Sequence, residues 1–399
     1  METDNSKRIR WIPLLLISFS LLFLTGCWDR TEVNDLAIVT GAAIDQKEDD
    51  EIELSIQVFV PKAISSGGGQ GSGGGGGKIT YTASQRGKNI ADALSKLQGK
   101  FPREIFWGQC KVFIFGEELA KKGIRKQMDF LLRHPEPRER AVVFISEGKA
   151  KAILELQPNL ERYSAEVIKE ILNYRIGLEK TVKDVDEMLS YISSAASIPF
   201  VTIKTQQSSE GKSIKYVHID GAAIFKKDKM VGTISEADTR GVLWLRDEIK
   251  GYTVNVEIEG EIVSLNPVSA LVHITPTIQG DKWKMDVRID TEGAIVQNET
   301  KIAFQDEKTL KKLEQGYQES IETRIKEVLY LMQHKLNADI AEFSKEYYRK
   351  YPKQKKRIED QWDQIFPNIE VSINVNARIR RNGYINKPGA TTQEEVKQW

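Results

Sequence analysis

Three stretches in the second half of the chain alternate apolar and polar residues almost without interruption, and one helical stripe lies between the last two. Tyr252, Val254, Val256 and Ile258 alternate with Thr253, Asn255 and Glu257. Trp283, Met285, Val287 and Ile289 alternate with Lys284, Asp286 and Arg288, and Ile369, Val371, Ile373, Val375, Ala377 and Ile379 repeat the pattern near the end. A period of two sends successive side chains to opposite faces of a strand, so these segments predict a sheet with one dry and one wet face, the usual habit of antiparallel sheets. Between residues 310 and 336 the period changes. Leu310, Leu313, Tyr317, Ile321, Ile325, Val328, Met332 and Leu336 recur every three or four positions, which lines one side of a long helix. A stripe needs an apolar partner and a one-sided sheet needs a cover. Residues 216–399 are therefore expected to form an α+β domain, an antiparallel sheet covered by a long helix.

The first half reads as strands mixed with helices. Residues 36–44, 52–60, 79–82, 110–115 and 141–145 have strand character, and the last is apolar throughout, as in a central strand covered on both faces. Helices are expected near 89–97 and over 117–133, where Pro135 and Pro137 end the second. Residues 27–157 thus predict an N-terminal α/β domain with a glycine-rich loop at 67–77. A helical middle region and linker is expected at 158–215, with helices at 164–174 and 181–193. Thr181 and Asp184 are spaced as a capping pair at the start of the second helix. At 399 residues the chain exceeds what one core usually holds. The whole is expected to be a multi-domain α+β protein, with mixed or antiparallel sheets and packed helices.

The N-terminus points to export. Lys7, Arg8 and Arg10 precede an apolar run over 11–24, too short to span a bilayer. A basic head with a short apolar core is the pattern of a signal peptide, here 1–26. It closes on Leu24-Thr25-Gly26-Cys27, which resembles the bacterial lipobox, so Cys27 is expected to carry a covalent diacylglyceryl lipid. One acyl chain binds a bilayer marginally, whereas two anchor it, at about 0.8 kcal/mol per buried methylene. Trp28, Asp29 and Arg30 would then lie at the membrane or against a partner. The 58 Lys and Arg nearly balance the 57 Asp and Glu, which gives no global field for nucleic acid.

Little in the sequence suggests catalysis or metal binding. Gly77-Lys78 follows a strand, but Ser72 and Ile79 occupy positions where a phosphate loop requires Gly and Ser/Thr. His218 and His273 lie on expected strands of one domain and are candidates to meet in space, though core or surface roles account for them. Cys110 falls in a buried strand, as a core thiol would. Asp184/Asp186 and Glu166/Glu170 fit solvated helix faces. No catalytic residue, metal or cofactor beyond the lipid is expected. One cluster stands out: Lys345, Arg349, Lys350, Lys353, Lys355, Lys356 and Arg357. It is either a solvated surface or a contact for anionic lipid head groups or an acidic partner.

Several of these residues also carry a family likeness. Cys27-Trp28-Asp29-Arg30, then 32–40 (Glu-Val-Asn-Asp-Leu-Ala-Ile-Val-Thr) and Ile44-Asp45, resemble the mature N-terminus of the Ger(x)C family, the C subunits of bacterial spore germinant receptors. Residues 116–123 (Gly-Glu-Glu-Leu-Ala-Lys-Lys-Gly), Asp129-Phe130-Leu131-Leu132-Arg133 and the Pro135/Arg138 segment extend the likeness. The glycine run departs from the family pattern as a loop insertion. The resemblance implies a non-enzymatic lipoprotein on the outer face of the spore inner membrane. It would act with an A-type membrane subunit and a B-type subunit similar to amino-acid transporters in nutrient-triggered germination. The alternative is a solute-binding lipoprotein of a transporter. That class needs two lobes of repeated βα units around a cleft, which the one-sided strands after Tyr252 oppose.

Overall fold

The computed structural model describes residues 32–60, 79–156, 163–173, 177–207, 211, 213–304 and 307–380. Among them, the first sheet takes β1 (Leu36–Gln46), β2 (Ile52–Phe59), β3 (Thr80–Gly87), β4 (Glu104–Phe106), β5 (Val112–Gly116), β6 (Val142–Ser146), β7 (Ala195–Gln207), β8 (Ser213–Lys226) and β9 (Lys229–Ile234). The order is β3-β2-β1-β5-β6-β7-β8-β9, with β4 beside the start of β1. β1, β5, β6 and β7 run parallel, and antiparallel hairpins flank them on both sides.

β5 and β6 are buried along their whole length, because helices cover both faces of the sheet. Phe113, Phe115, Val143 and Ile145 point into one core with α1 (Ile90–Gln98), α2 (Glu117–Lys122), α3 (Arg125–Arg133) and α6 (Val182–Ser190). Val112, Ile114, Val142 and Phe144 point into the other, with α4 (Ala150–Glu155) and α5 (Ser164–Asn173). The single helix expected over 117–133 is two. Gly123 breaks it at φ +129°, and a Cβ there would lie 2.6 Å from an Asp228 carboxylate oxygen.

The segment 158–215 is not a separate helical unit. Its helices pack on opposite faces of the first sheet, and β7 and β8 are long strands of that sheet, so the boundary expected at 215/216 falls inside β8. Pro199 sits inside β7 beside a register shift between Pro199 and Val201. Such an irregularity tolerates a residue without an N–H.

The second sheet has the order β10 (Val254–Ile258), β11 (Glu261–Gln279), β12 (Lys282–Asn298), β13 (Glu370–Arg380). Its first three strands are antiparallel, but β13 lies parallel to β12 from Lys284↔Glu370 to Ala294↔Arg380. The sheet is mixed rather than antiparallel because the chain returns through a helical crossover, which brings β13 in along the direction of β12. That crossover contains α8 (Glu307–Tyr330), a π-helical turn (Leu331–Leu336), α9 (Phe343–Lys350) and α10 (Lys355–Ile365). The predicted stripe of α8 is buried, with Leu313, Tyr317, Ile321, Ile325 and Val328 in one core with Met285, Val287 and Ile289.

The two halves share a wall. Along β8, Ala223 and Phe225 face the first core, whereas Ala222 and Ile224 face the core of the second sheet. There they meet α7 (Glu236–Leu245), which starts at a Ser235/Asp238 capping box. Gly241 lets α7 approach α8 closely; a Cβ there would meet the Arg324 carbonyl oxygen at 2.9 Å and Val328 at 2.8 Å.

Candidate functional site

A charged groove lies where the two halves meet. Lys180 precedes α6, and its carbonyl accepts from Val143 N–H at 2.9 Å. This pins the residue to the central strand, with its side chain only 6% exposed. The Lys180 amine reaches both carboxylate oxygens of Glu248 at 3.2 Å. Glu248 stands in the turn after α7 and also accepts from Arg246 Nε at 2.9 Å. Arg246 extends to Glu342 at 3.0 Å and to the Ile340 carbonyl at 3.2 Å. Glu342 in turn meets Lys345 of α9 at 3.4 Å. The result is one chain of alternating sign, Lys180–Glu248–Arg246–Glu342–Lys345, that ties the first sheet to the helices of the second.

Its electrostatics follow from sharing. Burial pushes the Glu248 carboxyl up, but Arg246 and then Lys180 outweigh it and hold it below the ordinary glutamate range. Burial and the neighbouring Arg246 charge depress the Lys180 amine, even with a carboxylate at hand. A cavity of about 620 Å³ opens beside this chain, with Asp184, Met188, Tyr191 and Ala195 on its first-sheet side. A second cavity of about 550 Å³ shares Arg246, Glu248, Glu342 and Lys345 and reaches β11 at Val272–Thr275. Each charge in the chain has a partner within it, so the arrangement is suited to fixing the two halves rather than to proton transfer.

The residues singled out in the sequence fall in different places. Cys27, Trp28, Asp29, Arg30 and the glycine-rich loop 67–77 lie outside the described residues. The basic cluster occupies α9, α10 and the turn between them, and much of its charge is met locally. Lys345 pairs with Glu342, Arg349 with Glu346, Lys355 with Glu359 and Arg357 with Asp281. Lys350 donates to the Pro276 carbonyl at 2.7 Å. Lys353 and Lys356 are exposed, with no carboxylate in ion-pair range among the described residues. The two histidines belong to different sheets: His218 sits on β8 opposite Thr202, and His273 on β11 opposite Arg288. The alternation around each residue marks a strand, not which sheet holds it. Cys110 is 2% exposed, and burial pushes its thiol up. Thr181 and Asp184 form the expected capping box.

Sequence reasoning missed Lys180, Arg246, Glu248 and Glu342. Nothing in their spacing joins them, since the chain of charges is assembled from three distant segments. A group of three or more His, Cys, Asp or Glu able to hold a metal ion is absent among the described residues. Within the same residues no helix is long and apolar enough to cross a membrane.

Known proteins match this chain along nearly its full length. The family described as "Spore germination protein N-terminal domain" matches residues 29–205, and "Spore germination B3/GerAC like, C-terminal" matches 220–383. The putative spore germination protein YfkR of Bacillus subtilis (strain 168) is 28% identical over 385 residues, covering 94% of this chain and 97% of the relative. Spore germination protein KC of the same organism is 26% identical over 395 residues, covering 94% of this chain and 96% of its own. The crystal structure of the GerBC protein superposes with a TM-score of 0.58 at 20% identity, over 86% of this chain and 97% of that one; at that identity it speaks for the fold. With both halves matched in order, the chain belongs to the Ger(x)C family of spore germination proteins.

Proposed function

We propose that this chain is a non-enzymatic, lipid-anchored subunit of a nutrient germinant receptor. In this reading it sits on the outer face of the spore inner membrane and docks through its two folded halves on A-type and B-type membrane subunits. The observation that carries the reading is the end-to-end match to spore germination proteins. The lipobox at Cys27 supports the anchor. About nine residues separate Cys27 from Leu36 at the start of β1, and an extended chain spans at most about 30 Å over that length. The end of the first sheet with Leu36 and Glu104 is then held near the membrane, where tethering raises the effective concentration of membrane partners without any new contact. In the basic cluster, the exposed Lys353 and Lys356 are the members best placed to meet an anionic surface.

The test is in-membrane cross-linking of the native protein in dormant spores, with mass spectrometry of what is recovered. Two polytopic subunits, one of them transporter-like, are expected. Recovery of a transport permease with its ATPase instead would replace the receptor reading with the solute-binding one.

A further inference from the structure

The second sheet has an open edge inside the groove. β10 pairs with β11 only from Glu261 to Leu265, so beyond Leu265 that side of β11 has no strand beside it. In an antiparallel pair a residue's N–H and C=O both point to the partner strand or both away, alternating along the chain. Ile278 N–H donates to the Tyr351 hydroxyl at 3.2 Å, and the Pro276 carbonyl accepts from Lys350 at 2.7 Å. Both residues therefore point away from β12. The register is unbroken from Ser269 to Gln279, so Val272 and Ile274 point the same way.

Native sheets blunt such edges with proline, lysine or a covering segment. Here Pro276, Lys350 and Tyr351 close one end and β10 closes the other. Val272 and Ile274 are left between them, and among the described residues no hydrogen bond meets their outward backbone groups. These groups face the 550 Å³ groove between the Leu245–Glu248 turn and α9. Donors and acceptors that repeat every second residue, roughly 6.8 Å apart, match an extended peptide backbone. The charges of the groove narrow the choice. Arg246, Lys345 and Arg349 are each paired with Glu248, Glu342 or Glu346. Asp247 is exposed at the elbow of the turn, with φ +56° and no cation in ion-pair range among the described residues.

We infer that β11 accepts an extended peptide segment of a partner protein as an added strand in line with β10, with a Lys or Arg side chain of that segment set against Asp247. The inference is independent of whether the partner is a receptor subunit.

The test uses the mature chain and a fluorescein-labelled peptide, Thr-Val-Thr-Val-Lys-Val-Thr-Val-Thr, read by fluorescence anisotropy. Saturable binding is expected, weakened about tenfold or more when the peptide Lys becomes Glu. N-methylation of alternate peptide amides in one register should abolish binding, and in the other register leave it unchanged. Asp247→Asn, on an exposed turn, should erase the preference for Lys over Glu, and Ile274→Pro should remove binding. Absence of saturation up to about 1 mM, or equal binding by the two N-methylated registers, would overturn the inference. So would a concentration-dependent dimer in sedimentation that Ile274→Pro dissolves, since the edge would then be covered by a second copy.

Discussion

Asp339 is buried, and its carboxylate accepts the Phe343 and Ser344 N–H groups at 2.9 and 2.8 Å, at the start of α9. Burial outweighs those bonds and lifts its pKa from the ordinary 3.8 to about 6. The folded state therefore binds the proton more tightly than the unfolded chain. Asp339 is a cost to stability above pH 6, and that cost is relieved as pH falls from 6 towards 4. Relative to Asp339→Asn, the native protein should gain roughly 2 kcal/mol between pH 7 and pH 4, read as urea midpoints of the two proteins across that range. A pH-independent difference would show that the carboxyl keeps its ordinary pKa in the fold. Glu248 makes a second case. Glu248→Gln leaves the Lys180 amine buried without its carboxylate. Because Glu248 is itself a third exposed, the expected loss is about 2 kcal/mol, below that of a fully buried pair. Denaturant unfolding of Glu248→Gln beside the double change Lys180→Met/Glu248→Gln checks it, the latter recovering most of the loss. None of these residues was legible in the sequence. Burial of an isolated carboxylate or amine leaves no periodic mark; the Thr181/Asp184 cap did, because both partners lie within one helical turn.

At the level of elements, periodicity found what is amphipathic and missed what is not. The stripe of α8 and the alternation of β10, β12 and β13 were readable because each has one dry face. α7 was missed because Val242, Leu243, Trp244 and Leu245 are all buried, so no polar side phases the pattern. The extent of β11, on which His273 was expected, was not readable for a different reason. It contains Pro267 and Pro276 and shifts register at Ser264/Leu265 and Pro267/Ser269, each shift resetting the alternation. The direction of β13 was not readable either, since alternation is the same for a strand run either way. The contact between α7 and α8 can be tested directly. Gly241→Ala gains about 1 kcal/mol in helix propensity but forces a Cβ against the Arg324 carbonyl, an overpacking cost of up to about 3 kcal/mol. A net loss of about 1 kcal/mol is expected, with a lower melting temperature; a rise would mean that the helices separate at little cost.

For the whole molecule, the most specific expectation concerns a residue outside the described fold. Cys27→Ala should release the protein from spore membranes in fractionation and slow nutrient germination, with the folded halves unchanged by circular dichroism. Full membrane retention with normal germination would remove the lipid from the proposed mechanism. The lipobox likeness is legible because signal and lipid motifs are read as linear sequence, whereas the groove exists only after residues 180, 248 and 342 are brought together.

β8 gives the molecule a mechanical character. One side of this strand belongs to each core, and Lys226 at its end holds the Asn337 carbonyl and Asp363 across the junction. With the proposed anchor at Cys27, a displacement entering at β1 would travel through hydrogen-bonded strands to β8 and then through packed side chains to α7 and α8. A strand shared by two cores makes that path stiff, so under the proposed anchoring the two halves would be expected to turn as one body rather than to close about a hinge.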